Sequence, residues 1–172
     1  MTFAVADRNE ALRLQPPLPS GSQRTVGKGK GAKVLGKLYA RVNSHADCTL
    51  TMSCMRRIIP EETQLTLHTY SIQRDARNFY RPDAFLPERW LSEGAPAGEH
   101  NTDAFFPFSY GPANCVGKNL ALMEMRMLLT WVLRRFRFSS APGVTCDEWE
   151  GGIKDWFAVR QDALLVSVSL RG

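Results

Sequence analysis

Cysteine is scarce in this 172-residue chain: Cys48, Cys54, Cys115 and Cys146 are the only four, and no two form a Cys-x-x-Cys pair. With no secretory leader at the start, a dense disulfide framework of the kind that staples small secreted domains is not expected. Long apolar runs are lacking as well. None approaches the roughly 18 residues needed to cross a bilayer, so no membrane span is expected and the chain reads as soluble or peripheral. Charge of one sign is not in large excess: the net charge is +5. The lysines of Gly27-Lys28-Gly29-Lys30-Gly31-Ala32-Lys33 have no aromatic residues between them on which bases could stack, and no Gly-Lys-Ser/Thr opens a helix there. A nucleic-acid surface and a phosphate-cradling loop are therefore not expected, and the stretch reads as a flexible, solvated loop. No internal repeat is visible.

What is present is an ordinary globular balance, 44% hydrophobic and 23% charged residues, enough for one domain or part of a larger one. Residues 1–15 read as a helix, stopped by Pro16-Pro17-Leu18-Pro19 because proline offers no donor and restricts the residue before it. A chain opening inside a helix leads to the expectation that a segment normally precedes it. Residues 24–57 are loose and glycine-rich. Residues 58–70 read as a hairpin turning at Pro60-Glu61-Glu62-Thr63, residues 71–79 as a short helix, and the proline-marked stretch after it as an ordered meander. The clearest helix spans 117–136, where Leu120, Met123, Met127, Leu128 and Trp131 make an apolar face and Arg134 and Arg135 close the last turn. Residues 156–159 and 164–170 read as a second hairpin turning near Asp162-Ala163.

The chemically informative stretch runs from Phe108 through Ser109-Tyr110-Gly111-Pro112-Ala113-Asn114-Cys115-Val116-Gly117 straight into that long helix. Gly111 and Gly117 permit backbone conformations closed to other residues and close approach to a flat ligand. Cys115 precedes a helix N-terminus, whose amide donors favour an anion and hence a thiolate. Phe108 is placed to shield the sulfur from water. Phe-x-x-Gly-x-x-x-Cys-x-Gly followed by an Ala- and Leu-rich helix resembles the cysteine-ligand loop of the cytochrome P450 family. Glu10-Ala11-Leu12-Arg13 resembles that family's Glu-x-x-Arg helix, its acid and base sharing one face at i, i+3. Phe85-Leu86-Pro87-Glu88-Arg89-Trp90 resembles its meander signature.

The resemblance implies a mainly α fold with small β-hairpins, a C-terminal part of the cytochrome P450 fold forming a single partial domain over 1–172. It implies haem b held by Cys115 as the axial ligand of iron, with Phe108, Gly111 and Gly117 around it and Arg24 near a haem propionate. Glu10, Arg13 and Arg89 would form a buried, charge-assisted network behind the loop, structural rather than chemical. Leu18, Pro19 and residues around Trp156 and Phe157 would lie on the substrate side. The family inserts one oxygen atom into a small organic substrate. Its electrons come from NADPH through NADPH–cytochrome P450 reductase, and its eukaryotic members sit at the endoplasmic-reticulum membrane.

The chain departs from that pattern in three places. Ala113 stands where the family commonly has Arg or His on a propionate. The distal half of the haem site is not in the sequence, so the isolated chain is expected to expose apolar surface and not to catalyse. Residues 38–57 interrupt the pattern, either as a genuine surface loop or as a retained intron translated in frame. A haem-binding protein without oxygenase activity and an inert truncated product are the competing readings.

Overall fold

The computed structural model describes residues 3–25, 32–34, 37–39, 62–93, 95–98, 100–111, 114–143 and 145–172. The chain divides into two compact units, one made of Met1–Gly21 with His68–Gly172, the other of Ser22–Leu67.

In the first unit, helix α1 (Phe3–Leu14) ends at the proline cluster, as the missing donors require. Its packed side is unusual: beside Ala6, Leu12 and Leu14 it buries Arg8, Asn9, Glu10 and Arg13. Of these, Glu10 and Arg13 are ion-paired, whereas the Arg8 side chain, among the described residues, bonds only the neighbouring Asn9. It packs on α2 (Thr69–Gln73), on the 3-10 turn Pro87–Trp90 and on α3 (Lys118–Arg135). The core is small and aromatic. Ala6, Phe79, Trp90 and Ala104 are buried together, with Ile72, Leu91 and Phe105 packed around them. Phe79 is fully buried, a burial that contributes about 1.5–3 kcal/mol.

Helix α2 lies earlier and is shorter than expected for 71–79. His68 caps it, its Nδ1 accepting the Ser71 amide at 3.3 Å, and the chain leaves the helix where the Asp75 carbonyl accepts the amides of Asn78 and Phe79. Helix α3 lies where its periodicity puts it, but its apolar face is uncovered: Leu120, Met123, Met127, Leu128 and Trp131 are each more than half exposed. A short helix α4 (Cys146–Gly151) follows.

The expected C-terminal hairpin pairs differently. Strand β8 (Val166–Leu170) pairs antiparallel with β5 (Phe136–Ser140), the continuation of α3. The register sets Phe136 opposite Leu170, Phe138 opposite Val168 and Ser140 opposite Val166, with Arg137 and Ser139 facing serines between them. Matching apolar alternation decides this partnership, since a one-residue slip would oppose apolar to polar along the whole ladder. Strands β6 (Lys154–Trp156) and β7 (Ala158–Arg160) pair with each other instead, pinched at Phe157, whose φ is 75°.

In the second unit, β1 (Gln23–Thr25) pairs antiparallel with β4 (Gln64–Thr66), and β2 (Ala32–Val34) with β3 (Lys37–Tyr39). The loop expected over 27–33 thus ends in a strand at Ala32. The Ile58-Ile59 arm of the hairpin expected at 58–70 lies outside the described residues. So does the interruption beyond Tyr39, through 57; Leu38 and Tyr39 themselves belong to β3.

Candidate functional site

Glu10 and Arg13 lie one turn apart on α1, both completely buried. The carboxylate is the hub of the first unit. Its Oε1 accepts Arg13 Nη2 at 2.8 Å, Arg89 Nε at 3.1 Å and the Leu86 amide at 3.0 Å. Its Oε2 accepts Arg13 Nε at 3.0 Å and Trp90 Nε1 at 2.8 Å. Burial alone would push the Glu10 carboxyl up. The hydrogen bonds from Arg13, Leu86 and Trp90, together with the Arg13 charge, outweigh it and hold the group below its ordinary value.

Arg13 spends its remaining donors on main-chain carbonyls: Nη1 on Gln73 at 2.8 Å and Pro82 at 2.6 Å, Nη2 on Ala84 at 3.1 Å. All five N–H groups of the guanidinium are used. Arg89 reaches the carbonyls of Tyr80 at 2.9 Å and Arg81 at 3.3 Å. Phe79 lies beneath both guanidinium groups, its ring centre 5.2 Å from Arg13 and 6.0 Å from Arg89. The structure therefore brings Glu10, Arg13 and Arg89 into one buried ion cluster.

Two members of the cluster escaped the sequence reading. The first is the Trp90 indole; it sits in the meander signature, but its donor role is invisible without the fold. Trp90 packs at 4.6 Å between ring centres against Phe105, just upstream of the cysteine loop. Replacing Trp90 by Phe keeps that contact and strands part of a buried carboxylate, so about 1.5–3 kcal/mol of stability is expected to go, read as a lower urea midpoint. The second is Gln73, fully buried at the end of α2. His100 also lies against this cluster, edge-on to Trp90 at 4.8 Å and to Phe79 at 5.7 Å. Burial, and then the Arg89 charge, push its imidazole pKa down.

The cysteine loop follows. The Ser109 amide donates to Phe106 at 2.9 Å, and the Cys115 amide to Phe108 at 3.0 Å, which closes the loop; Lys118 N then donates to the Cys115 carbonyl at 3.3 Å as α3 begins. Phe108 acts through its main chain. Cys115 is exposed, as are Tyr110 and Val116. Gly111 has φ 84° and nothing within 4 Å of a would-be Cβ; Ser109 is also left-handed, at φ 63°. Gly117 differs from the expectation: its φ is −81°, a value open to any residue. A Cβ there would stand 3.9 Å from Cys115 Sγ, an ordinary van der Waals contact. Gly117 is also the N-cap of α3 and brings no side-chain acceptor. Ala113 lies outside the described residues. Arg24 belongs to the second unit, on β1 opposite Leu65.

The sequence model of one family, cytochrome P450, matches residues 40–153. The chain belongs to the cytochrome P450 family.

A cytochrome P450 monooxygenase, nodW, of Hypoxylon pulicicidum is 42% identical over 135 residues, covering 78% of this chain and 21% of its own length. Another, atr2 of Stereocaulon alpinum, is 30% identical over 170 residues, 99% of this chain and 29% of its own. The solved haem domain of cytochrome P450DA superposes with a TM-score of 0.71 at 21% identity, covering all of this chain and 31% of that one, so the P450 fold is shared. The chain spans between a fifth and a third of the length of these relatives. P450 membership implies haem b as cofactor. The residues here fit that group: an exposed thiol at the head of a helix, with the exposed apolar side chains of Tyr110 and Val116 in the same loop. No helix among the described residues is long and apolar enough to cross a membrane.

Proposed function

We propose that this chain is the cysteine-ligand portion of a haem-thiolate monooxygenase, with Cys115 the axial ligand of the iron. Phe108 fixes the ligand's amide, Gly111 turns the loop, and Gly117 leads the chain into α3. Arg24 is the residue proposed for a propionate. Glu10, Arg13 and Arg89 hold the scaffold on which the loop stands. When bound, haem supplies the oxygen chemistry, and a thiolate ligand donates electron density that favours cleavage of the O–O bond. Among the chain's own contributions, the main-chain bond from Cys115 to Phe108 orients the ligand residue, and the amide end of α3 stabilises an anionic sulfur. A small organic substrate, electrons from NADPH through NADPH–cytochrome P450 reductase, and residence at the endoplasmic-reticulum membrane belong to the same proposal.

The observation that carries the reading is the closed loop with an exposed Cys115 at the head of α3, backed by the buried ion cluster. The uncovered face of α3 favours a second reading for the 172 residues expressed alone, namely haem binding without turnover. Titrating haem into the purified chain and reducing it under carbon monoxide separates the outcomes. A far-red-shifted Soret band is expected, and Cys115→Ser is expected to abolish it. An unchanged band in Cys115→Ser sinks the ligand assignment. Product formed with a reductase present sinks the claim that this polypeptide alone does not turn over.

A further inference from the structure

One side chain at the edge of the ion cluster bonds both to α1 and to the chain entering the cysteine loop. Gln73 is completely buried at the end of α2. Its Nε2 donates to the last carbonyls of α1, Leu12 at 3.1 Å and Arg13 at 3.0 Å, groups with no acceptor role left inside the helix. Its Oε1 accepts the Phe106 amide at 3.0 Å. Two carbonyls at one end and an N–H at the other leave a single orientation of the amide. From Phe106 the bonds continue: its carbonyl accepts Ser109 N, and Phe108, between them, accepts Cys115 N.

We infer that Gln73, oriented by its bonds to α1, is a positioning residue whose Oε1 holds the Phe106 amide and so sets the backbone that presents Cys115. A purely apolar side chain of that size would fill the space but cut the link. A carboxylate would keep the acceptor for Phe106 while losing the donors toward α1. Gln73→Met and Gln73→Glu therefore separate loop positioning from stability.

The test is amide hydrogen exchange by NMR on the 172-residue chain, with α1 amides as the internal reference. In Gln73→Met the Phe106 and Cys115 amides are expected to exchange about tenfold faster than α1 reports, equivalent to about 1.4 kcal/mol for the lost bond. In Gln73→Glu they are expected to stay within about twofold of that reference, although the carboxylate lowers overall stability by crowding two carbonyl oxygens. Exchange that follows α1 equally in both variants overturns the inference. If Gln73→Met does not fold, Gln73→Glu still decides, since loop amides freed ahead of α1 despite the retained acceptor also overturn it.

A spectroscopic arm rests on the haem-thiolate reading. At equal haem occupancy, Gln73→Met is expected to show a smaller fraction of the far-red-shifted band, and Gln73→Glu to recover it. A wild-type chain lacking that band fails the haem reading and leaves the exchange result standing.

Discussion

Glu10→Gln is expected to remove about 3–5 kcal/mol of stability, because it leaves two buried guanidinium groups without their anion. Five donors converge on this carboxylate: three on Oε1 and two on Oε2. A carboxamide has one acceptor oxygen and one NH2 group, so in either orientation two of its own N–H bonds point at donors. Arg13 and Arg89 are then buried cations facing each other with only neutral carbonyls for company. Against the 5–15 kcal/mol of a typical domain, such a loss populates the unfolded state heavily. Urea unfolding followed by circular dichroism measures it, and a loss under about 1 kcal/mol would show that the cluster contributes little to stability.

The same residue sets an acid limb. The Glu10 carboxyl is held below its ordinary 4.5 in the folded chain, so the folded state keeps it ionised where the unfolded state would protonate it. Its contribution is fully present above that ordinary value and is lost as pH falls through the depressed folded-state value. Stability should therefore drop with acid below about pH 4.5, and in Glu10→Gln that part of the slope should be flattened. An acid limb identical in both proteins would assign it to other carboxylates.

Local pattern made some of this legible and left the rest hidden. The proline cluster ends α1, and the 3.6-residue period gives α3, because both signals lie within one element. Glu10 and Arg13 share a face by spacing alone. Arg89 joined them only through the family resemblance, since nothing local links residues 79 apart. Gln73 was illegible for a related reason. In a five-residue helix flanked by Arg74 and Asp75 a glutamine reads as solvated, and its three partners lie 33 to 61 residues away. The pairing of β8 was misread because hairpin logic favours the nearest strand in sequence. The better match, Phe-x-Phe against Val-x-Val-x-Leu, sits beyond an intervening helix and a smaller hairpin. The open face of α3 could be read as apolar but not as covered or bare, since periodicity reports which side is greasy and says nothing of what lies against it.

Arg13→Lys tests how much of the cluster is geometry rather than charge. Lysine keeps the positive charge but brings three donors from one point, where arginine places five in a fixed plane. The native guanidinium spans the Glu10 carboxylate on one edge and the carbonyls of Gln73, Pro82 and Ala84 on the others. An ammonium that keeps two of its three N–H groups on Glu10 has one left for three carbonyls, so two acceptors lose their partner. At about 1–3 kcal/mol for each, a loss of about 2–6 kcal/mol is expected, large for a substitution that conserves charge. Coupling distinguishes this from simple additive damage. Once Glu10→Gln has stripped the anion, Arg13 has lost its bidentate partner, and replacing it costs less. The double variant should thus fall short of the summed single losses by at least about 1 kcal/mol, within the range found for residues sharing one network. Additive losses would mean that Arg13 serves mainly as a clamp on the meander carbonyls. The acid on α1 would then be held by Arg89, Trp90 and the Leu86 amide instead.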